Sequence, residues 1–221
     1  SLRRQRQMCI RDRTSIQKLP KISKKLDLEL MKKGILFIVT APSGAGKTTL
    51  VNELLKQITN LAVSVSFTTR PIRPGEIDGK NYHFIDEVEF LDMHSREDFL
   101  ETAVVYGHKY GNSKSSVSAE FKRGNDVILE IDWQGAEQVK NQFPKACSIF
   151  ILPPSLKTLT ERLYKRQQDD SEIIKVRMNQ AREVISHVTD ADYVVVNDKF
   201  EETVNDAITI ICLLYTSPSP R

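Results

Sequence analysis

The residues best suited to chemistry lie in one short run, Ala41-Pro42-Ser43-Gly44-Ala45-Gly46-Lys47-Thr48, followed by Thr49. Small residues there let backbone N–H groups curl around phosphate oxygens. A helix that begins at the lysine adds the positive end of its dipole. Lys47 would reach the β- and γ-phosphates of a nucleoside triphosphate, and the Thr48 hydroxyl would ligate Mg²⁺. The strict pattern G-x-x-x-x-G-K-[ST] fails by one residue, because Ala41 stands in its first position. One methyl group is tolerable there if φ stays negative. The run fixes a triphosphate site and leaves the reaction open.

A second set surrounds Arg70 and Arg73, in a loop stiffened by Pro71 and Pro74, with Tyr82 beyond it. Two guanidinium forks can hold one phosphate bidentately. Two solvated loop arginines are the plainer alternative. Asp132 ends the apolar run 126–131 and could order an Mg²⁺-bound water or an acceptor; capping the next helix is the rival role. His83, His94, His108 and His187 stand in no catalytic pattern, and Trp133 reads as a packing anchor.

These residues need a frame. Continuous β-branched and apolar runs at 35–40, 126–131, 148–152 and 193–196 suit strands buried on both faces of a parallel sheet. Shorter strands are expected at 63–68, 82–85, 101–105 and 109–110. Helical patterns cover 47–59, 87–95, 96–100, 114–123, 135–143, 156–164, 173–187 and 200–211, with a polar link at 165–172. Strands alternating with helices imply an α/β fold with right-handed crossovers.

Composition bounds the rest. At 221 residues, 40% hydrophobic and 28% charged, the chain has the make-up of one soluble α/β domain. Cys9, Cys147 and Cys212 form no CxxC pair, so neither a disulfide framework nor a zinc site is expected, and a reducing cytoplasm is the default. The net charge of +3 misleads when taken whole. Residues 1–33 hold 11 Lys/Arg against 3 Asp/Glu, whereas the remainder holds 21 against 26. A nucleic-acid partner is therefore not expected, and no apolar run is long enough to imply a membrane span.

The run S-x-T-T-R-x-x-R-P-G-E-x-x-G-x-x-Y at 66–82 resembles the GMP-binding loop of guanylate kinases. The loop at 39–47, Tyr-Gly at 110–111, I-D-W-Q-G at 131–135, I-F-I-L-P-P-S at 149–155 and V-N-D at 196–198 resemble that family in the same order. The likeness spans 34–211, about four-fifths of the chain, and is closest to bacterial members. It implies a P-loop fold with a GMP-binding region near 66–125 and a helical lid near 156–187. It implies transfer of the γ-phosphoryl group of ATP to GMP, with Mg²⁺ accompanying ATP. It places Arg70, Arg73, Tyr82 and Tyr110 on the GMP phosphate, and Ser66, Glu101 and Asn112 on guanine. Glu130 and Asp132 fall on the same GMP side. Arg73, Arg166 and Arg177 match the family's catalytic arginines beside Lys47. Asn197 and Asp198 match its ATP contacts. ATP and GMP are then the expected partners, and the oligomeric state is left open.

Chemistry agrees for Glu101. Guanine presents N1–H and N2–H₂ as adjacent donors, which two carboxylate oxygens can accept. Adenine has no such pair and would leave the carboxylate desolvated and unmatched. An exposed carboxylate at a strand start is the alternative. The chain departs from the family at Asn112, where Ser or Thr is usual, and at Glu130, where Asp is commoner. It also has fewer glycines around Arg166. Another acceptor, or a non-enzymatic guanylate-kinase-like interaction domain, would give a similar pattern. Such domains typically lose the ATP loop or lid arginines, but Lys47, Thr48, Arg166 and Arg177 are all present.

Both ends read as foreign to the fold. Residues 1–13 and 212–221 resemble translated sequencing-adaptor read-through, so 1–30 and 212–221 are set apart as tails. An Arg-rich mitochondrial-type presequence is the alternative for the first, and Met31 is a candidate natural start.

Overall fold

The computed structural model describes residues 34–165 and 171–216. Leu36–Thr40 (β1) is buried at every position and lies at the centre of a parallel sheet. Its neighbours are Asp126–Glu130 (β7) on one side and Cys147–Leu152 (β8) on the other. Leu61–Val63 (β2) pairs with β7 and Tyr193–Val196 (β9) with β8, so the order is β2-β7-β1-β8-β9. Successive β1 side chains point to opposite faces. Phe37 and Val39 pack with helices Lys47–Gln57 (α1) and Phe200–Thr216 (α7). Leu36 and Ile38 pack with Lys114–Lys122 (α3) and Trp133–Gln142 (α4). A strand covered on both faces has no use for alternation, which is why its sequence is an unbroken apolar run.

This strand order sets the site. The chain leaves β1 towards β7 and β2 and later returns to β8 and β9 on the other side. The loops after β1, β7, β8 and β9 all emerge at the same edge, and the gap beside β1 is a topological switch point where ligands bind.

A second sheet, in the order β4-β3-β6-β5, stands apart from the first. It holds Phe67–Thr68 (β3), His83–Phe84 (β4), Phe99–Val105 (β5) and His108–Ser113 (β6). Helix Glu87–Ser95 (α2) packs Phe90 and Met93 on Phe99. Helices Leu156–Lys165 (α5) and Ser171–Ser186 (α6) follow β8, and a short 3₁₀ turn at His187–Asp190 leads into β9. Trp133, the expected packing anchor, stacks on His187 with ring centroids 3.9 Å apart and planes 7° from parallel.

Three expectations need correction. The strand expected at 63–68 is two strands in different sheets. Ser64 N still donates to Ile128 O, but Ser66 O accepts from His83 N, so the chain changes partner between them. Residues 96–100 are not helical. Glu97 takes a left-handed φ of 57°, Asp98 N closes back on Met93 O, and the next residues enter β5. The last helix does not break at Ile211 but runs on to Thr216. Ala207, Ile210 and Ile211 extend at helical spacing to Leu214, which packs on the same core. The Tyr215 phenol also lies near Asp126, whose Oδ1 accepts from Ile35 N. Burial and that carboxylate push the phenol pKa up.

Deleting residues 212–221 is therefore expected to destabilise the fold by about 1–3 kcal/mol, chiefly through loss of Leu214 burial. Urea unfolding checks this: the midpoint should fall with an unchanged slope, and an unchanged midpoint would show these residues to be passengers.

Candidate active site

The loop from β1 to α1 is held by two left-handed glycines, Gly44 at φ 93° and Gly46 at φ 97°. Gly46 is the N-cap of α1 and supplies no side-chain cap. By contrast, α2, α3 and α4 are capped by Asp86, Ser113 and Asp132, whose side chains accept from Glu89 N, Ser116 N and Gly135 N. The first donors of α1 are thus left to an incoming anion. Both glycines are also close-approach positions. A Cβ on Gly46 would lie 2.4 Å from Asn197 Nδ2, and one on Gly44 would press on Leu159 and Leu163 of α5.

Lys47 Nζ donates to Ile131 O at 3.1 Å, and Thr48 Oγ1 donates to Glu130 Oε2 at 2.9 Å. Burial lowers the Lys47 pKa, against the opposing pull of Glu130, Asp132 and Glu101. Thr48 and Glu130 bring hard oxygen ligands to the head of the loop, which fits Mg²⁺. Among the described residues no cluster of three or more His, Cys, Asp or Glu could hold a metal, so the remaining ligands would be phosphate oxygens and water.

On the acceptor side Glu101 is 3% exposed, which rules out the alternative of a surface carboxylate. Register places it opposite Asn112 across β5 and β6. Its Oε1 accepts from Asn112 N and Nδ2, both at 2.9 Å. Asn112 Oδ1 in turn accepts from Ser66 Oγ at 3.2 Å. The three expected guanine contacts thus form one buried chain, and Asn112 joins it with both ends of its amide. Burial raises the Glu101 pKa to about 7 despite the Asn112 donors and Lys47.

Arg70 is buried, and its two terminal nitrogens meet both oxygens of Glu76 at 2.9 and 2.7 Å. It lies over the rings of Tyr82 and Phe84, and Tyr110 stands edge-on to Tyr82. Burial alone would lower the Arg70 pKa, but Glu76 and Tyr110 raise it. Burial, then Glu130, pushes the Tyr82 phenol up to about 12. Arg73 is exposed, with its backbone N–H also on Glu76.

Over the loop, Arg177 of α6 is buried and donates to Ser43 Oγ at 3.3 Å. Arg162 donates to Asn197 O at 2.9 Å. Asn197 lines the cleft beside the loop and also bonds to the loop itself. Its Nδ2 donates to Ala45 O at 2.7 Å and its Oδ1 accepts from Thr203, so its side chain braces the phosphate loop. The adjoining cleft is lined by Gly44, Gly46, Thr49, Arg162, Lys165, Asn197, Asp198 and Phe200. Asp132 takes the capping role, with Oδ1 on Gly135 N at 3.0 Å. Glu130 sits on the phosphate-loop side, against Thr48. Arg166 lies outside the described residues.

Two residues stood in the quoted motifs without a role. Glu76, the acid that follows the two arginines, holds the Arg70 fork. Gly135 lies against Glu101: a Cβ there would stand 2.4 Å from Oε2, a reason for glycine inside α4.

The comparisons agree with this geometry. The guanylate kinase family model matches residues 33–212. The guanylate kinase of Methylobacillus flagellatus is 52% identical over 179 residues, covering 81% of this chain and 89% of that protein. That of Coxiella burnetii is 52% identical over 181 residues, covering 82% and 88%. The crystal structure of guanylate kinase from Anaplasma phagocytophilum superposes with a TM-score of 0.70 at 34% identity, covering 83% of this chain and 87% of that one. A parallel α/β core with an uncapped phosphate loop, a second sheet carrying a buried carboxylate, and this extent of similarity show that the chain belongs to the guanylate kinase family, the nucleoside monophosphate kinases that act on GMP.

Proposed function

We propose that the chain transfers the γ-phosphoryl group of ATP to GMP, giving ADP and GDP, with the residue roles set out here. The observation that carries this reading is the proximity of two different recognition groups. Glu101, which suits guanine, and Lys47, which suits the β- and γ-phosphates, lie close enough to shift each other's ionisation.

Residues 41–48, with Thr49, cradle the ATP phosphates through backbone N–H groups, and Lys47 meets the β/γ oxygens. Asp198 and Thr49 line the nucleoside cleft. Asn197 supports ATP indirectly, through Ala45. Mg²⁺, held by Thr48 with Glu130 behind it, would neutralise charge on the phosphate oxygens. Arg70, Arg73, Tyr82 and Tyr110 hold the GMP phosphate. Ser66, Asn112 and Glu101 read guanine, and Asp132 fixes the strand end beside them. One GMP phosphate oxygen forms a bond to the γ-phosphorus as the bond to the β–γ bridging oxygen breaks. The attacking GMP phosphate oxygen is already ionised near neutral pH, so no general base is needed. Lys47, Arg73, Arg166 and Arg177 supply the positive charge around the transferring group. The family and the absence of a long apolar helix among the described residues support a cytoplasmic enzyme.

Replacing Lys47 by Met should lower kcat by roughly 10²–10³-fold while GMP binding holds. Coupled ADP detection and calorimetry with GMP check this, and turnover near wild type would remove Lys47 from the reaction.

Glu101→Gln turns one acceptor into a donor facing the guanine donors. The kcat/KM for GMP at saturating ATP should fall by roughly 10- to 150-fold. The preference for GMP over inosine monophosphate, which lacks the N2 amine, should shrink. An unchanged ratio would mean that guanine is read elsewhere.

The same variant tests the ionisation. The folded pKa of about 7 lies above the ordinary 4.5, so the folded state holds the proton more tightly than the unfolded chain. That stability is fully present below pH 4.5 and is lost as pH rises through 7. In the ligand-free protein, unfolding free energy should therefore decline over this window by up to about 3 kcal/mol more in wild type than in Glu101→Gln. Parallel urea curves at stepped pH measure the difference, and identical slopes would refute it.

A further inference from the structure

The β5–β6 hairpin ends in a two-residue turn, Tyr106-Gly107, between the paired Val105 and His108. Both turn residues have positive φ, 53° for Tyr106 and 77° for Gly107. A turn of this hand favours Asn, Asp or Gly at its first position. A bulky aromatic residue there costs on the order of 1 kcal/mol or more, and such strain persists where something else requires the residue. Tyr106 is not one of the apolar residues clustered under the sheet. The cluster under this sheet is Phe90, Met93 and Phe99 with Phe67 and Ile85, and Tyr106 is 36% exposed.

What Tyr106 meets is the lid. The Arg177 guanidinium carbon stands 5.4 Å from the centre of its ring, within reach of a cation–π contact. The same guanidinium donates to Ser43 in the phosphate loop. Arg177 therefore joins three separate parts: its own helix α6, the phosphate loop, and the tip of the acceptor hairpin.

We propose that Tyr106 is a positioning residue for Arg177, fixing its guanidinium over the phosphate loop when hairpin and lid meet. This rests on the kinase reading above, in which Arg177 faces the transferring phosphoryl group. An aromatic face suits the task better than a carboxylate. A carboxylate would orient the fork but neutralise it, whereas a ring restrains a long side chain and leaves the positive charge for the phosphoryl oxygens. The contact also makes the arginine's placement depend on the acceptor sheet, so the charge is set only where the acceptor is held.

The test uses the full chain and two variants. Tyr106→Asn suits the turn and removes the ring, and Tyr106→Phe keeps the ring and removes the hydroxyl. With Tyr106→Asn, kcat should fall roughly 3- to 30-fold, the span of a lost cation–π contact. Its urea midpoint should be equal to or above that of wild type, and calorimetric GMP binding without ATP should stay within about twofold. Tyr106→Phe should restore kcat to within about twofold of wild type. A wild-type kcat in Tyr106→Asn overturns the proposal, as does a loss that tracks a lowered urea midpoint. Equal losses in both variants overturn it too, because the hydroxyl would then be the active part. The wild-type control separates the two readings. If wild type forms ADP in a GMP-dependent way and Tyr106→Asn does so equally well, only the role of Tyr106 falls; if wild type shows no GMP dependence, the kinase reading falls first.

Discussion

Much of the structure follows from one omission, the missing side-chain cap at the start of α1. A helix leaves its first N–H groups without partners, and three other helices here close theirs with Asp or Ser. At α1 the cap is Gly46, which has nothing to offer. Those donors are left to water or to an anion, and the loop must keep its shape without a cap. The surroundings supply the shape. Asn197, at the end of β9, ties down Ala45 O, and Leu159 and Leu163 of α5 lie against Gly44. Lys47 is anchored to the end of the β7 run through Ile131 O. The segments after β7 and β9 and the helix α5 thus converge on one short turn that has no side-chain cap of its own.

The part of this arrangement that is local in sequence was legible. Gly44, Gly46, Lys47 and Thr48 sit between an apolar run and a helix start, so chain order alone placed them. The central strands were equally plain, because a strand covered on both faces shows an unbroken apolar run. What depends on pairing was hidden. Glu101 was legible as a partner for guanine, but not its burial or its bond to Asn112 across β5 and β6, and Gly135 reads as a weak point in a helix until Glu101 is seen against it. Asn197 was legible as a residue of the ATP side, but not as a brace, since Ala45 lies far away in sequence. The failures at 96–100 and beyond 211 have local causes. Glu97 ends a helix in a left-handed conformation that glycine usually takes, and the apolar stripe of α7 runs past the point where composition changes.

The acceptor side obeys the opposite rule from the phosphate loop. There, buried charge is matched before any substrate arrives. Arg70 is buried and carries Glu76 across both terminal nitrogens. Leaving such a guanidinium without a partner would cost several kcal/mol of desolvation, so its fork has to be held in register. Among the described residues no cation stands at bonding distance from Glu101, and burial raises its pKa to about 7. Under the proposed roles, Arg70 would meet a phosphate with its fork already oriented, and the paired donors of guanine would favour the ionised form of Glu101. Selectivity for guanine on this reading is set by what burial does to the carboxylate as much as by the hydrogen bonds it can accept.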